Sequence, residues 1–100
     1  MQQHKTIKVR DLEAICLTED FEHLNKSNWY IDDGYLRETI FGEKMHHIVV
    51  KLHGDTIPEG FVVHHINHIR HDNRYQNLQI VTVLQNGQSK LKSAKASIIK

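Results

Sequence analysis

The sequence predicts a single α+β domain, and three patterns along its 100 residues lead to that prediction. Residues 29–41 hold two β-favouring stretches around an Asp-Gly step, which is typical of a β-hairpin. Residues 45–52 place apolar side chains at helical spacing. Residues 60–97 follow the order strand, polar loop, strand, capped helix. A chain of this length builds one small core, because a compact domain usually needs about 50 to 200 residues.

The first 27 residues have the weakest patterns and are predicted to form an N-terminal extension. Ile7-Lys8-Val9 suits a short strand. The stretch from Leu12 to Leu17 suits a short helix or turn instead, because Leu12, Ile15 and Cys16 share an apolar face. No catalytic or binding residue is predicted in this extension.

The second unit, residues 28–54, is predicted to contain the hairpin and a short buried helix. In the hairpin, Gly34 accepts the positive φ that a tight turn requires. The helix runs from Met45 to Leu52 and is stopped by Gly54.

The third unit, residues 60–97, is predicted to carry the chemistry. Its strands are Phe61 to Ile66 and Asn77 to Thr82, separated by ten polar-rich residues. Thr82 and Gln85 have the spacing of a capping box, which predicts a helix that continues to about Ser97.

Composition excludes several classes of protein. The longest apolar run, Ala14 to Leu17, is far shorter than the roughly 18 residues of a membrane span. The single Cys16 excludes an internal disulfide and any zinc site built on a cysteine pair. We therefore expect an intracellular, soluble protein whose metal ligands come from His, Asn, Asp or Glu.

Charge is balanced in total, with 13 basic and 12 acidic residues, but it is uneven along the chain. From Asp11 to Lys44, nine acidic residues oppose three basic ones, a net charge of −6. Residues 73–100 contain five basic residues and no acidic residue. This end is expected to face a polyanion, or else to form a solvated tail.

Histidine is the most unusual part of the composition. Seven of the nine histidines fall within 26 consecutive residues: His46, His47, His53, His64, His65, His68 and His71. Because neighbouring strand residues point to opposite faces, one of His64 and His65 can bind a metal while the other faces a substrate. A helix packed across the hairpin brings Asn86 near them, and a hard cation accepts imidazole and amide oxygen together.

The residues around this histidine pair carry a family resemblance. Val63-His64-His65-Ile66-Asn67-His68, followed by Asp72-Asn73-Arg74, Asn77-Leu78, Val81-Thr82 and Asn86, resembles the HNH endonucleases of the ββα-metal, or His-Me finger, superfamily. The pattern is most similar to small phage and intron-encoded homing enzymes. Gly34 to Arg37 and Met45 to Val49 also look like the hairpin and short helix that precede the motif in that group. The resemblance implies an α+β His-Me finger, a β-hairpin plus helix around one metal.

The resemblance also implies a role for each matching residue. His64 and Asn86 take the metal-ligand positions, and His65 takes the position of the general base. Asn77 takes the position that holds the loop and orients the base. One divalent cation, Mg²⁺ first and Mn²⁺, Ni²⁺ or Zn²⁺ as alternatives, then assists hydrolysis of DNA to 5′-phosphate and 3′-hydroxyl ends.

Four basic residues are the expected nucleic-acid contacts: Arg74, Lys90, Lys92 and Lys95. Arg74 alternatively ties the loop to Asp72. The expected partner is DNA, with no membrane, in the cytoplasm of a phage-infected or host bacterial cell. Sequence specificity is expected to be weak, or else to come from a partner protein or a second copy of the chain.

Two other functions stay open at this point. In the first, the chain is a non-catalytic nucleic-acid-binding module or a subunit of a larger phage nuclease or packaging assembly. In the second, it is a structural zinc domain that uses His68 and His71. Asn67-His68-Ile69 stands where relatives commonly have Asp-Gly-Asn, so these three positions lack the glycine and the carboxylate of the relatives.

Overall fold

The chain folds into three β-hairpins packed with two α-helices in a computed structural model that describes residues 3–84. In chain order the elements are β1 His4–Val9, β2 Leu12–Leu17, α1 Thr18–Asn25, β3 Trp29–Asp32, β4 Tyr35–Glu38, α2 Met45–Leu52, β5 Phe61–His65, a 3-10 turn Tyr75–Asn77, and β6 Leu78–Thr82. The predicted α+β class is confirmed. From residue 85 onward the predicted last helix lies outside the described residues, and so do Asn86, Lys90, Lys92 and Lys95.

Each hairpin is a separate two-stranded antiparallel sheet, formed by β1 with β2, β3 with β4, and β5 with β6. The turn between β3 and β4 is tight because Asp33 and Gly34 both adopt positive φ, at 56° and 84°. This turn, the predicted helix Met45–Leu52 and the two predicted strands of the third unit are confirmed. No helix among residues 3–84 is long and apolar enough to cross a membrane.

The prediction of a helix or turn from Leu12 to Leu17 is wrong, because this stretch is strand β2. Ala14 and Cys16 are fully buried, whereas Glu13 is exposed, so the burial alternates with the period of a strand. The ladder with β1 runs over all six residues of each strand. Cross-strand pairing of this kind outweighs the local helical pattern.

The apolar core lies where the hairpins meet the helices. Leu24, Leu36, Met45 and Val49 are each 0% exposed. They come from α1, β4 and α2, so the second hairpin and both helices share one core. Burial of such side chains stabilises the fold by about 1.5 to 3 kcal/mol each.

Strand β4 ends at Glu38, three residues before the predicted limit at Phe41. The buried Glu38 carboxylate accepts hydrogen bonds from the backbone N–H groups of Ile40 and Phe41, at 2.9 and 2.6 Å. These bonds turn the chain away from β3, because a backbone N–H held by the carboxylate is lost to the ladder.

Candidate active site

Strand β5 sends its last two side chains to opposite faces, as predicted from the strand period. His65 is buried, at 5% exposed, and its imidazole lies within the fold. His64 is half-buried, and the centre of its ring is 5.1 Å from that of His68. The two histidines of the doublet therefore occupy different surroundings.

A hydrogen bond from the loop orients the His65 ring. The Nε2 atom lies 2.8 Å from Oδ1 of Asn73, which is 0% exposed. Because a carboxamide oxygen only accepts, the neutral imidazole carries its proton on Nε2 and keeps the lone pair on Nδ1. Burial lowers the pKa of His65, and the bond to Asn73 and the charge of Asp72 oppose the shift without cancelling it. His65 is therefore neutral, with one basic nitrogen, near pH 7.

Asn77 closes the loop between β5 and β6. Its Oδ1 accepts the backbone N–H of Asn67 at 3.1 Å, and its Nδ2 donates to Oδ1 of Asn67 and to the carbonyl of Asp72, both at 2.9 Å. Its backbone carbonyl accepts the N–H of Ile66 at 2.8 Å. This residue therefore links both ends of the loop, the geometry expected of a loop-holding asparagine, while its catalytic role stays a prediction.

Asp72 is a buried carboxylate that organises the second half of the loop. It accepts from Arg74 Nε and Nη2, at 2.8 and 2.7 Å, and from Asn67 Nδ2 at 2.8 Å. Burial raises the pKa of Asp72, but the bonds from Arg74 and Asn67 outweigh burial and hold that pKa below its usual value. Arg74 thus forms the tie to Asp72 that was one of its two expected roles, and its contact with nucleic acid stays a prediction.

His68 takes the backbone conformation that a glycine would supply. Its φ is 64°, in the left-handed region that disfavours side chains with a Cβ. The loop therefore keeps a left-handed residue at this position although Asn67-His68-Ile69 contains no glycine.

An aromatic ring and two cations lie beside His65. The ring of Tyr35 lies 5.9 Å from that of His65 and 5.3 Å from that of His46, between centroids. The guanidinium of Arg70 stands 4.8 Å over the Tyr35 ring, and the ammonium of Lys44 stands 5.3 Å from its centre. Two cations therefore lie within reach of an anion that approaches His65.

His46 is the closest ring to His65, at 4.5 Å between centroids, and it is 2% exposed. Burial, followed by the nearby His65, lowers the pKa of His46 to about 2. His46 Nδ1 and Asn73 Nδ2 are the buried side-chain polar atoms without a hydrogen-bond partner among residues 3–84. Both belong to residues in contact with His65, and neither residue has a predicted role. The cluster of histidines in the sequence was the signal for His46, whereas nothing in the sequence marked Asn73 as the partner of His65.

The N-terminal extension holds this loop through its backbone. The N–H of Ile15 donates to the carbonyl of His71 at 2.8 Å, and the N–H of Asn73 donates to the carbonyl of Ile15 at 2.7 Å. Ile15 also forms a parallel bridge with Asp72. The hydrogen-bond partner of His65 is thus fixed by strand β2, which the sequence did not connect with the site.

A second group of possible metal ligands lies elsewhere. Among residues 3–84, one cluster of three or more such side chains occurs, formed by Glu19, Asp20 and His53, with ligand atoms within 4.8 Å of one another. His53 Nε2 lies 3.0 Å from each carboxylate oxygen of Asp20, and its ring stacks on Tyr75 at 4.0 Å. These contacts join α1 to the end of α2. The cluster contains none of the predicted metal ligands.

Comparison with known proteins identifies the segment that carries the loop. Residues 43–88 match the family model described as HNH endonuclease. Neither the comparison with curated proteins nor the comparison with solved structures gives a significant match. The matched segment contains α2, the histidine doublet, the loop and β6, and such a domain suggests nuclease activity on a nucleic acid. Residues 43–88 of this chain are therefore similar to the HNH endonuclease family.

Proposed function

We propose that the chain is a metal-dependent DNA endonuclease in which His65 is the general base. The observation that carries the proposal is the hydrogen bond between His65 Nε2 and Asn73 Oδ1, together with the lowered pKa of His65. A base must be unprotonated before it can accept a proton, and this pair keeps Nδ1 available for that purpose.

In the proposed reaction, His65 Nδ1 takes a proton from a water molecule that attacks the phosphorus atom. The imidazolium that results keeps its Nε2–H bond to Asn73, which holds the ring in one orientation throughout the transfer. Asn77 maintains the loop that carries both residues. Breakage of the bond between phosphorus and the 3′ oxygen, which takes up a proton from solvent, then gives a 5′-phosphate and a 3′-hydroxyl.

Arg70 is the cation best placed to bind the phosphate. Its Nη1 donates to the backbone carbonyl of Asp33 at 2.6 Å and lies 3.2 Å from the exposed Asp33 carboxylate, and its guanidinium packs on the Tyr35 ring. These contacts fix the group while its side chain stays 45% exposed. A pre-oriented guanidinium stabilises the added charge of the transition state without moving during the reaction.

His64 and Asn86 are the proposed metal ligands. His64 suits this role because it is half-buried on the face opposite His65, so an ion on its imidazole leaves the His65–Asn73 bond intact. Imidazole and amide donors accept several divalent cations. A divalent metal ion is typical of the family, and when bound it would stabilise charge on the phosphate and on the leaving oxygen.

The test is nicking of supercoiled plasmid in EDTA and then in Mg²⁺, Mn²⁺, Ni²⁺ and Zn²⁺. The wild-type chain should nick or linearise the plasmid only with metal. His65→Ala should lower the rate by at least about 100-fold, because positioned proton transfer contributes about 10² to 10⁴. His23→Ala is the matched control, since His23 is an exposed histidine on α1 far along the chain from the loop.

Two outcomes would contradict the proposal. Normal cleavage by His65→Ala would remove the general-base assignment. No cleavage with any of the four metals, together with retained DNA binding, would favour the non-catalytic binding module, in which the loop serves as a scaffold.

A further inference from the structure

A groove in the N-terminal part of the molecule is not used by any of the chemistry above. It lies between the β1–β2 turn, the segment after α1 and the start of β3, with a volume of about 480 Å³. Its polar lining residues are Lys8, Arg10, Asn25, Ser27, Asn28 and Tyr30.

The groove is cationic, and its two cations come from the chain just before the acidic stretch that begins at Asp11. Lys8 and Arg10 are exposed, and none of the lining residues is a carboxylate. Neither cation forms an ion pair with another residue of the range 3–84, although Glu13 is opposite Lys8 in the strand register. Their charge is therefore available to an anion in solution.

The strand register connects the groove with the site. Tyr30 pairs with Arg37, and Asp32 pairs with Tyr35. Directly paired residues share a face and side chains alternate along a strand, so all four side chains lie on one face of the hairpin. Tyr35 contacts His65 on that face, and Tyr30 is 44% exposed and lines the groove. Tyr30 is two residues, about 7 Å, along β3 from the partner of Tyr35.

We propose that this groove binds the sugar-phosphate backbone of duplex DNA beside the cleaved bond, an inference that rests on the DNA endonuclease function above. Lys8 and Arg10 neutralise phosphates, and the amide and hydroxyl groups of Asn25, Ser27 and Asn28 donate hydrogen bonds to them. A duplex bound at His65 would continue along this face of the hairpin toward the groove. Contacts of this kind add affinity and set orientation without reading the sequence.

The experiment is the salt dependence of kcat/KM for plasmid nicking by the full chain at constant Mg²⁺. The variants are Lys8→Ala and Arg10→Asn, and asparagine is chosen because Arg10 has a φ of 59°. Lys5→Ala is the matched control, since Lys5 is an exposed lysine of the same strand that does not line the groove. The thermal midpoint of each variant checks its fold.

The slope of log kcat/KM against log salt is negative, and each groove variant should make it less steep by about 0.9, the value of one lost phosphate contact. The control should keep the wild-type slope. If the enzyme nicks normally and both groove variants keep the wild-type slope, the proposal that the groove binds DNA is overturned. The endonuclease proposal is not affected by that result. A wild-type chain that never nicks would overturn the endonuclease proposal first and the groove with it.

Discussion

Residues 3–42 and residues 43–84 contribute to one site in different ways. The second region lies within the family match and carries the histidine doublet, the loop and Arg70. The first region lies outside the match, yet it supplies the Tyr35 ring against His65 and the Ile15 hydrogen bonds to the loop. The proposed reacting groups therefore come from one region, and part of their positioning comes from the other.

The residues of the family match therefore do not position the candidate site by themselves. The orientation of His65 depends on Asn73, and the backbone of Asn73 is held by Ile15 of β2. A backbone hydrogen bond places few demands on side-chain identity, so it leaves little trace in a sequence. Of the three predictions below, the second tests a contact between the two regions, and the first and third test the second region by itself; the expected effects decrease from the first to the third.

The largest effect concerns the buried ring of His46. Its pKa is about 2 in the folded chain against 6.5 as the ordinary value, so the unfolded chain binds more protons between these limits. Stability therefore falls as pH falls below about 6.5, and this one group should remove about 2 kcal/mol between pH 7.5 and pH 5. Denaturant unfolding of wild type and His46→Phe at both pH values measures it. The variant should lose about 2 kcal/mol less than wild type, and equal losses would show that His46 is accessible to protons.

The second effect tests whether the first region positions Arg70. Gly34 has a φ of 84°, and a Cβ there would lie 3.1 Å from Cδ of Arg70. Gly34→Ala should lower the free energy of unfolding by about 1 to 2 kcal/mol through backbone strain and should also displace Arg70. Gly54→Ala is the matched control, because Gly54 has a φ of 92° and nothing within 4 Å of the added Cβ. Only Gly34→Ala should raise KM for plasmid. An equal KM in both variants would show that Arg70 does not contribute to substrate binding.

The smallest effect concerns the left-handed His68 within the matched segment. His68→Gly and His68→Ala both remove the ring that lies beside His64, but only glycine relieves the positive φ. The glycine variant should therefore be more stable than the alanine variant by about 1 kcal/mol. Thermal and denaturant unfolding of the two variants give the comparison directly. An alanine variant as stable as the glycine variant would indicate a loop that relaxes away from the left-handed conformation.

The sequence predicted those parts of the fold whose local patterns agree with their tertiary contacts. The tight turn at Gly34 and the apolar stripe of Met45–Leu52 are examples, since turn chemistry and helical period act within a few residues. It failed at Leu12–Leu17, where pairing with a strand several residues away decides the structure. The opposite surroundings of His64 and His65 followed from strand geometry.

The contacts of the site were less predictable. Both expected roles of Arg74 were compatible with its position, and only the three-dimensional structure shows its guanidinium on Asp72. The His46 contact with His65 joins a helix to a strand 19 residues away, a pairing that no local pattern encodes.

The link between Ile15 and the loop has a consequence for how the molecule opens. The sheets of residues 3–84 are three separate ladders, and the bonds of Ile15 to His71 and Asn73 cross between the first hairpin and the loop. Opening of β2 therefore exposes the Asn73 amide to hydrogen exchange and releases the orientation of His65 at the same moment. Because the first hairpin also contributes Ile7, Ala14 and Cys16 to the core, its melting should release the orientation of the proposed base and loosen the core together.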